Sequence, residues 1–176
     1  MRLQSTRSTD PSPAGLILSA GQLAPTDIRD RLRRDHEEVL AELEALRAGG
    51  DGEALALLVR LRRRWVIHAL AEETVVYRAV EGLEGDERKR ADERFVEHEL
   101  VEGLFDKLSR SRPGSSEWVA RLGVARELIM RHIETEHEDL FPQLAQRFDA
   151  EGLDEMGEQF ASARDKLTLL EEAKAA

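Results

Sequence analysis

Four of the five histidines in this 176-residue chain stand where a helical repeat calls for leucine or isoleucine, and this placement restricts the fold more than any other feature. His36 falls in the series Ile28, Leu32, His36, Val39, Leu43, Leu46, and His68 in Leu58, Leu61, Trp65, His68, Glu72, Val76, Ala79. His98 falls in Ala91, Phe95, His98, Val101, Phe105, Leu108, and His132 in Val119, Leu122, Ala125, Ile129, His132, Glu136, Leu140. Steps of three and four stack side chains on one helix face. The spacing therefore predicts four amphipathic helices, each carrying an imidazole on the face it must bury.

The connections between these segments are short and rich in turn residues: Gly49-Gly50-Asp51-Gly52, Gly82 with Gly85, and Arg112-Pro113-Gly114. No period-two strand pattern competes. The expected fold is all-α, an antiparallel up-down-up-down four-helix bundle. Thr26 is the expected cap of the first helix, Ser115 or Ser116 that of the fourth, and Pro142 is expected to kink or restart the fourth. An additional C-terminal helix with Leu153, Met156, Phe160, Ala163, Leu167 and Leu170 is expected outside the bundle or against a second chain. Pro11, Pro13 and Pro25 among Ser, Thr and Gly mark a flexible N-terminal extension. The division is then 1–25 extension, 26–148 bundle and 149–176 C-terminal helical segment.

Composition narrows the chemistry. The chain has no cysteine, which excludes disulfides, thiolate metal sites and a cysteine nucleophile, so any metal is held by imidazole and carboxylate. A net charge of −10 removes the electrostatic attraction to phosphate backbones and anionic lipid, so neither nucleic acid nor a membrane is an expected partner. Leu16-Ile17-Leu18 is too short an apolar run for a signal core, and the expected location is cytoplasmic.

The histidines are spaced by 32, 30 and 34 residues. In antiparallel hairpins two residues share a level when they lie equally far from the turn, and here the mismatches stay within roughly one helical turn. All four imidazoles converge on one layer. Two of them are followed four residues later by a carboxylate, His68 by Glu72 and His132 by Glu136, on the same faces. A buried carboxylate without a cation is costly, and two beside four imidazoles call for metal. Imidazole and carboxylate without thiolate suit iron or manganese, and this donor count suits a bridged pair of ions. The pattern also repeats, because Asp35-His36-Glu37 resembles Glu97-His98-Glu99 and the segment from His68 to Tyr77 resembles that from His132 to Phe141. A ferritin-like carboxylate bundle expects Glu-x-x-His on two helices. Here that spacing occurs once, at Glu134 and His137.

In this order of motifs, a histidine, HxxxE, a histidine and a second HxxxE over about residues 28–145, the chain resembles the hemerythrin HHE domain. The resemblance implies two iron ions as a bridged non-haem centre, with His36 and His68 on one, His98 and His132 on the other, and Glu72 and Glu136 bridging. It departs from oxygen-carrying hemerythrins at Arg94, where those have a histidine, and at His137, where those have the last carboxylate. His137 and Glu102 stand as further ligand candidates, and Tyr77 as a redox-active neighbour or core residue. The family implies small-molecule ligands, dioxygen, peroxide or nitric oxide, and a monomer or homodimer. Consumption of peroxide or nitric oxide stands against non-enzymatic binding or sensing of oxygen or iron, and a metal-free interaction module stands as the third alternative.

Overall fold

In the computed structural model, which describes residues 26–80 and 85–175, the chain enters its first helix at Asp27. The Asp27 carboxylate accepts from the Arg29 backbone N–H at 2.8 Å, so it, and not Thr26, caps α1 (Ile28–Ala48). The expected extension at 1–25 and the turn residue Gly82 lie outside the described residues. Four further α-helices precede the last: α2 (Ala54–Glu72), α3 (Gly85–Ser109), α4 (Ser116–Thr135) and α5 (Phe141–Arg147). α6 (Ala150–Ala175) closes the series. Ser115 caps α4 by accepting from the Trp118 N–H. Among the described residues there is no strand, and no helix is long and apolar enough to cross a membrane.

α1 to α4 form the antiparallel bundle. One apolar cluster joins the C-terminal half of α1 (Val39, Leu43, Leu46) to the N-terminal half of α2 (Ala54, Leu58, Leu61), and the end of α3 (Val101, Phe105, Leu108) to the start of α4 (Trp118, Leu122, Ala125). The α1–α2 and α3–α4 turns therefore lie at the same end. A second apolar cluster at the opposite end gathers Ile28, Leu32, Val76, Tyr77, Leu140, Phe141 and Leu144 with Leu153, Met156 and Phe160 of α6. The C-terminal helix thus packs outside the bundle, on α1 and α2. Its approach to α1 is so close that a Cβ at Gly157 would stand 1.7 Å from the Thr26 carbonyl oxygen.

Two of the rods contain a five-residue π-helical turn, Glu73–Tyr77 after α2 and Glu136–Leu140 between α4 and α5. In the second, the Phe141 N–H reaches back to the Glu136 carbonyl, five residues away. Pro142 stands in the first turn of α5, so the helix restarts there as expected, and its missing donor falls where the hydrogen-bond pattern is changing anyway.

Three expected core residues are corrected. A π turn adds one residue and rotates the helix beyond it, so Val80 is buried where Ala79 was expected. α3 keeps its inward step of four from His98 back to Arg94, which leaves Phe95 at the surface with 38% exposure, edge-on to Tyr77. In α4 the same step runs from Leu122 to Trp118, leaving Val119 61% exposed.

Candidate metal centre

Between the two apolar clusters lies one polar layer made of His36, His68, Glu72, His98, His132 and Glu136, all at or near zero exposure. Each helix reaches it once with an imidazole, and α2 and α4 add their glutamates one turn later. Glu72 Oε2 stands 3.6, 3.5 and 3.7 Å from Nε2 of His68, His98 and His132. Glu136 Oε2 stands 3.2 Å from His36 Nε2 and 3.6 Å from His132 Nε2. The donor atoms of His36, His68, His132 and Glu136 all lie within 4.8 Å of one another, as do those of His68, Glu72, His98 and His132. The two sets share His68 and His132, so the geometry gathers six residues without dividing them into pairs.

Each imidazole turns its other nitrogen outward, onto a side chain from the helix before it. Asp35 of α1 meets His68 Nδ1 at 3.0 Å, and Glu73 at the end of α2 meets His98 Nδ1 at 2.8 Å. Glu97 of α3 lies 3.4 Å from His132 Nδ1, and His137 of the second π turn lies 3.0 Å from His36 Nδ1, closing the ring. A carboxylate only accepts, so Nδ1 of His68 and His98 carries the proton. In the neutral ring this leaves Nε2 as the lone-pair nitrogen facing the layer, the state a metal requires. His137 therefore faces outward behind His36, while Glu102 is exposed and pairs with Arg62.

Three residues finish the walls. The Trp65 ring lies 5.6, 5.5 and 5.4 Å from the rings of His68, His98 and His132 and forms an apolar floor. Tyr77 stacks on His98 and places its hydroxyl 3.2 Å from Glu72 and 3.0 Å from Glu136. Its five-residue offset from Glu72 would point it away in an α-helix; the π turn brings it into the layer. Arg94 is buried to 5% exposure with its Nε 4.0 Å from Glu136 Oε1 and no hydrogen bond to that nitrogen.

The electrostatics are those of a site built around positive charge. Burial and the neighbouring Glu136 charge raise Glu72 well above the ordinary carboxylate range. Burial opposes ionisation of Glu136 too, but His132 and His36 outweigh it and hold that carboxyl low. His98 resists the burial that would lower it, because Glu72 and Glu73 raise it to about 9. Burial drives His132 down to about 4. Asp35, despite its burial, is held below its usual value by His68 and Arg164. His36 Nε2, His68 Nε2, Glu72 Oε1 and Glu136 Oε2 are buried without a hydrogen-bond partner. Such orphaned groups are rare in folded proteins, and cations would satisfy all of them at once. The donor set fits metal.

The family model of the hemerythrin HHE cation binding domain matches residues 27–144. Among curated proteins, the chain is 24% identical over 144 residues to a DNA nickase of Nostoc sp., covering 80% of this chain and 40% of that protein. It is 26% identical over 129 residues to an uncharacterized hemerythrin-like protein of Schizosaccharomyces pombe, covering 72% of this chain and 63% of that one. The chain thus spans less than two thirds of either relative. No solved structure matches it.

Proposed function

Since the chain belongs to the hemerythrin HHE cation-binding family, we propose that it is a non-haem di-iron protein that binds and reacts with small oxidants, peroxide and nitric oxide before dioxygen. The observation that carries this reading is the single buried layer of four imidazoles and two carboxylates, in which His36 Nε2, His68 Nε2, Glu72 Oε1 and Glu136 Oε2 have no hydrogen-bond partner. His36, His68, His98 and His132 would hold the ions, with Glu72 and Glu136 shared between them. When bound, a pair of iron ions supplies Lewis acidity and one-electron redox chemistry.

The protein's own residues do the rest. Asp35 and Glu73 fix the tautomers and aim of His68 and His98, while Glu97 and His137 stand behind His132 and His36. Trp65 closes one side against water, and the Tyr77 hydroxyl holds a proton between the two carboxylates. Six protein ligands are fewer than two ions that each prefer about six would fill, which would leave room for exogenous ligands. Arg94 adds a cation beside Glu136, which would favour an anionic ligand such as hydroperoxide over dioxygen held reversibly. The net charge of −10 supports small molecules, and not a phosphodiester backbone, as the ligands.

The test is metal analysis after iron-replete expression, with absorption spectra of the reduced protein before and after addition of dioxygen, peroxide and nitric oxide. Two irons per chain with turnover of peroxide or nitric oxide are expected. One zinc per chain would overturn the di-iron reading; a dioxygen complex reversed by degassing, without turnover, would make the protein a carrier.

A further inference from the structure

The ring of outward contacts contains an asymmetry that the internal repeat does not predict. By the repeat, Asp35 beside His36 corresponds to Glu97 beside His98, and the two acids serve corresponding imidazoles, His68 and His132. Both have an arginine behind them, but of different kinds. Glu97 is backed by Arg131 of the bundle, at 3.5 Å and with its side chain 65% exposed. Asp35 is fully buried, and its Oδ1 is met at 2.8 Å by Nη2 of Arg164, which comes from α6. Asp35 Oδ2 is the oxygen on His68 Nδ1. A chain of two contacts therefore runs from the C-terminal helix to a nitrogen donor of the polar layer.

We infer that α6 is a working part of the metal centre and that Arg164 is a positioning residue, acting through Asp35 to hold His68 in its metal-binding tautomer and orientation. The inference rests on the di-iron reading above. A buried carboxylate is held in place by the cation it pairs with. With Arg164 on Oδ1, Asp35 presents Oδ2 to the His68 Nδ1–H and keeps that ring aimed with Nε2 toward the layer. Without it, Oδ1 loses its ion pair, and the carboxylate's hold on the imidazole weakens. α6 is seated for this role by backbone contact at Gly157 and by Phe160, Met156 and Leu153 in the second apolar cluster. It also docks through Arg63 of α2, which reaches Glu172 at 2.9 Å and the Thr168 carbonyl at 3.2 Å without touching the polar layer or its outward partners. This second tie supplies the control.

The experiment is anaerobic titration of ferrous iron into the full metal-free chain, as wild type, Arg164→Gln, Arg164→Lys and Arg63→Gln, with thermal melting of each metal-free protein alongside. Arg164→Gln is expected to weaken iron binding by about 10- to 100-fold, the range found for residues that orient metal ligands. Arg164→Lys should recover most of the affinity, because it restores the cation. Arg63→Gln should loosen α6 and lower the melting temperature with iron affinity unchanged. Equal affinity in wild type and Arg164→Gln, or an equal loss in Arg63→Gln, would reduce α6 to a docked helix and sink the inference while leaving the di-iron reading intact. Failure of Lys to recover affinity would also sink it. Should Arg164→Gln not fold, Arg164→Met takes its place against Arg63→Gln, with the same outcomes. A wild-type chain that takes up no iron would end both readings together.

Discussion

The hydroxyl of Tyr77 lies 3.0 Å from Oε1 of Glu136 and 3.2 Å from Oε2 of Glu72, so one phenolic proton serves two buried carboxylates that come from opposite halves of the repeat. A single O–H cannot donate fully to both, and the rise of Glu72 above its ordinary range supplies the second proton the pair needs in the metal-free protein.

Tyr77→Phe should therefore destabilise the metal-free protein by about 1.5–3 kcal/mol, the contribution of a hydrogen bond to a charged group. The loss should shrink once metal is bound, because cations then hold both carboxylates. Denaturant melts with and without iron check this. An equal loss in both states would place the tyrosine's contribution in packing against Phe95 and His98.

The stability of the metal-free chain should peak near pH 6.5. His98 is raised from 6.5 to about 9, so the folded state keeps a proton that the unfolded chain releases, and stability falls as pH rises from about 6.5 through 9. His132 is lowered to about 4, so the unfolded chain takes up a proton that the folded state refuses, and stability falls as pH drops below 6.5 toward 4. Metal on His98 Nε2 would displace its proton, flattening the alkaline limb and releasing protons on loading at pH 7. Thermal melts across pH, and titration calorimetry in buffers of different ionisation enthalpy, report both. A metal-free melting temperature that climbs steadily from pH 6.5 to 9 would contradict the assignment.

Glu72→Ala and Glu136→Ala should each abolish loading of at least one iron, whereas His137→Ala should only weaken binding, by about 10- to 100-fold. His137 stands behind His36 at Nδ1, outside the layer that the two glutamates enter. Metal content after equilibrium dialysis separates the cases, and an iron lost outright in His137→Ala would make that imidazole a ligand.

Arg94→Leu should keep its iron yet bind azide less tightly, by roughly tenfold or more, the equivalent of losing one hydrogen bond to a charged group. The buried guanidinium Nε has no hydrogen-bond partner and faces the Glu136 side of the layer. Spectrophotometric azide titration of the oxidised protein reads this directly; an unchanged affinity would confine Arg94 to neutralising Glu136.

The helices, their order and the six residues of the layer were legible because a histidine or glutamate on an apolar stripe breaks a simple period. Features that the period cannot carry were missed. The π turn after α2 inserts one residue, so Val80 is buried in place of Ala79, and Tyr77, named in sequence only as a redox-active neighbour or core residue, reaches the layer from an offset that points away in an ordinary helix. Phe95 and Val119 drew notice because they are apolar, yet the inward step from their neighbours lands on Arg94 and Trp118. Asp35, Glu73 and Glu97 look like ordinary helix-surface acids in sequence, because each serves an imidazole on the next helix. One signal was present: each sits directly beside a residue of the polar layer. Arg164 had no such neighbour, and only the docking of α6 reveals it.

The polar layer also divides the hydrophobic interior into two cores that do not share a residue. Cooperative opening follows contiguous packed units, so the two ends of the rods form separate foldons. The one around the second cluster contains the start of α1, both π turns and α6. Transient opening of that end alone would expose Glu72, Glu136 and Tyr77 to solvent while Trp65 and the hairpin end stay folded. Native-state hydrogen exchange should accordingly show two protection plateaus in the metal-free chain, with iron merging them into one, because ions shared by all four helices tie the two cores into a single unit of unfolding.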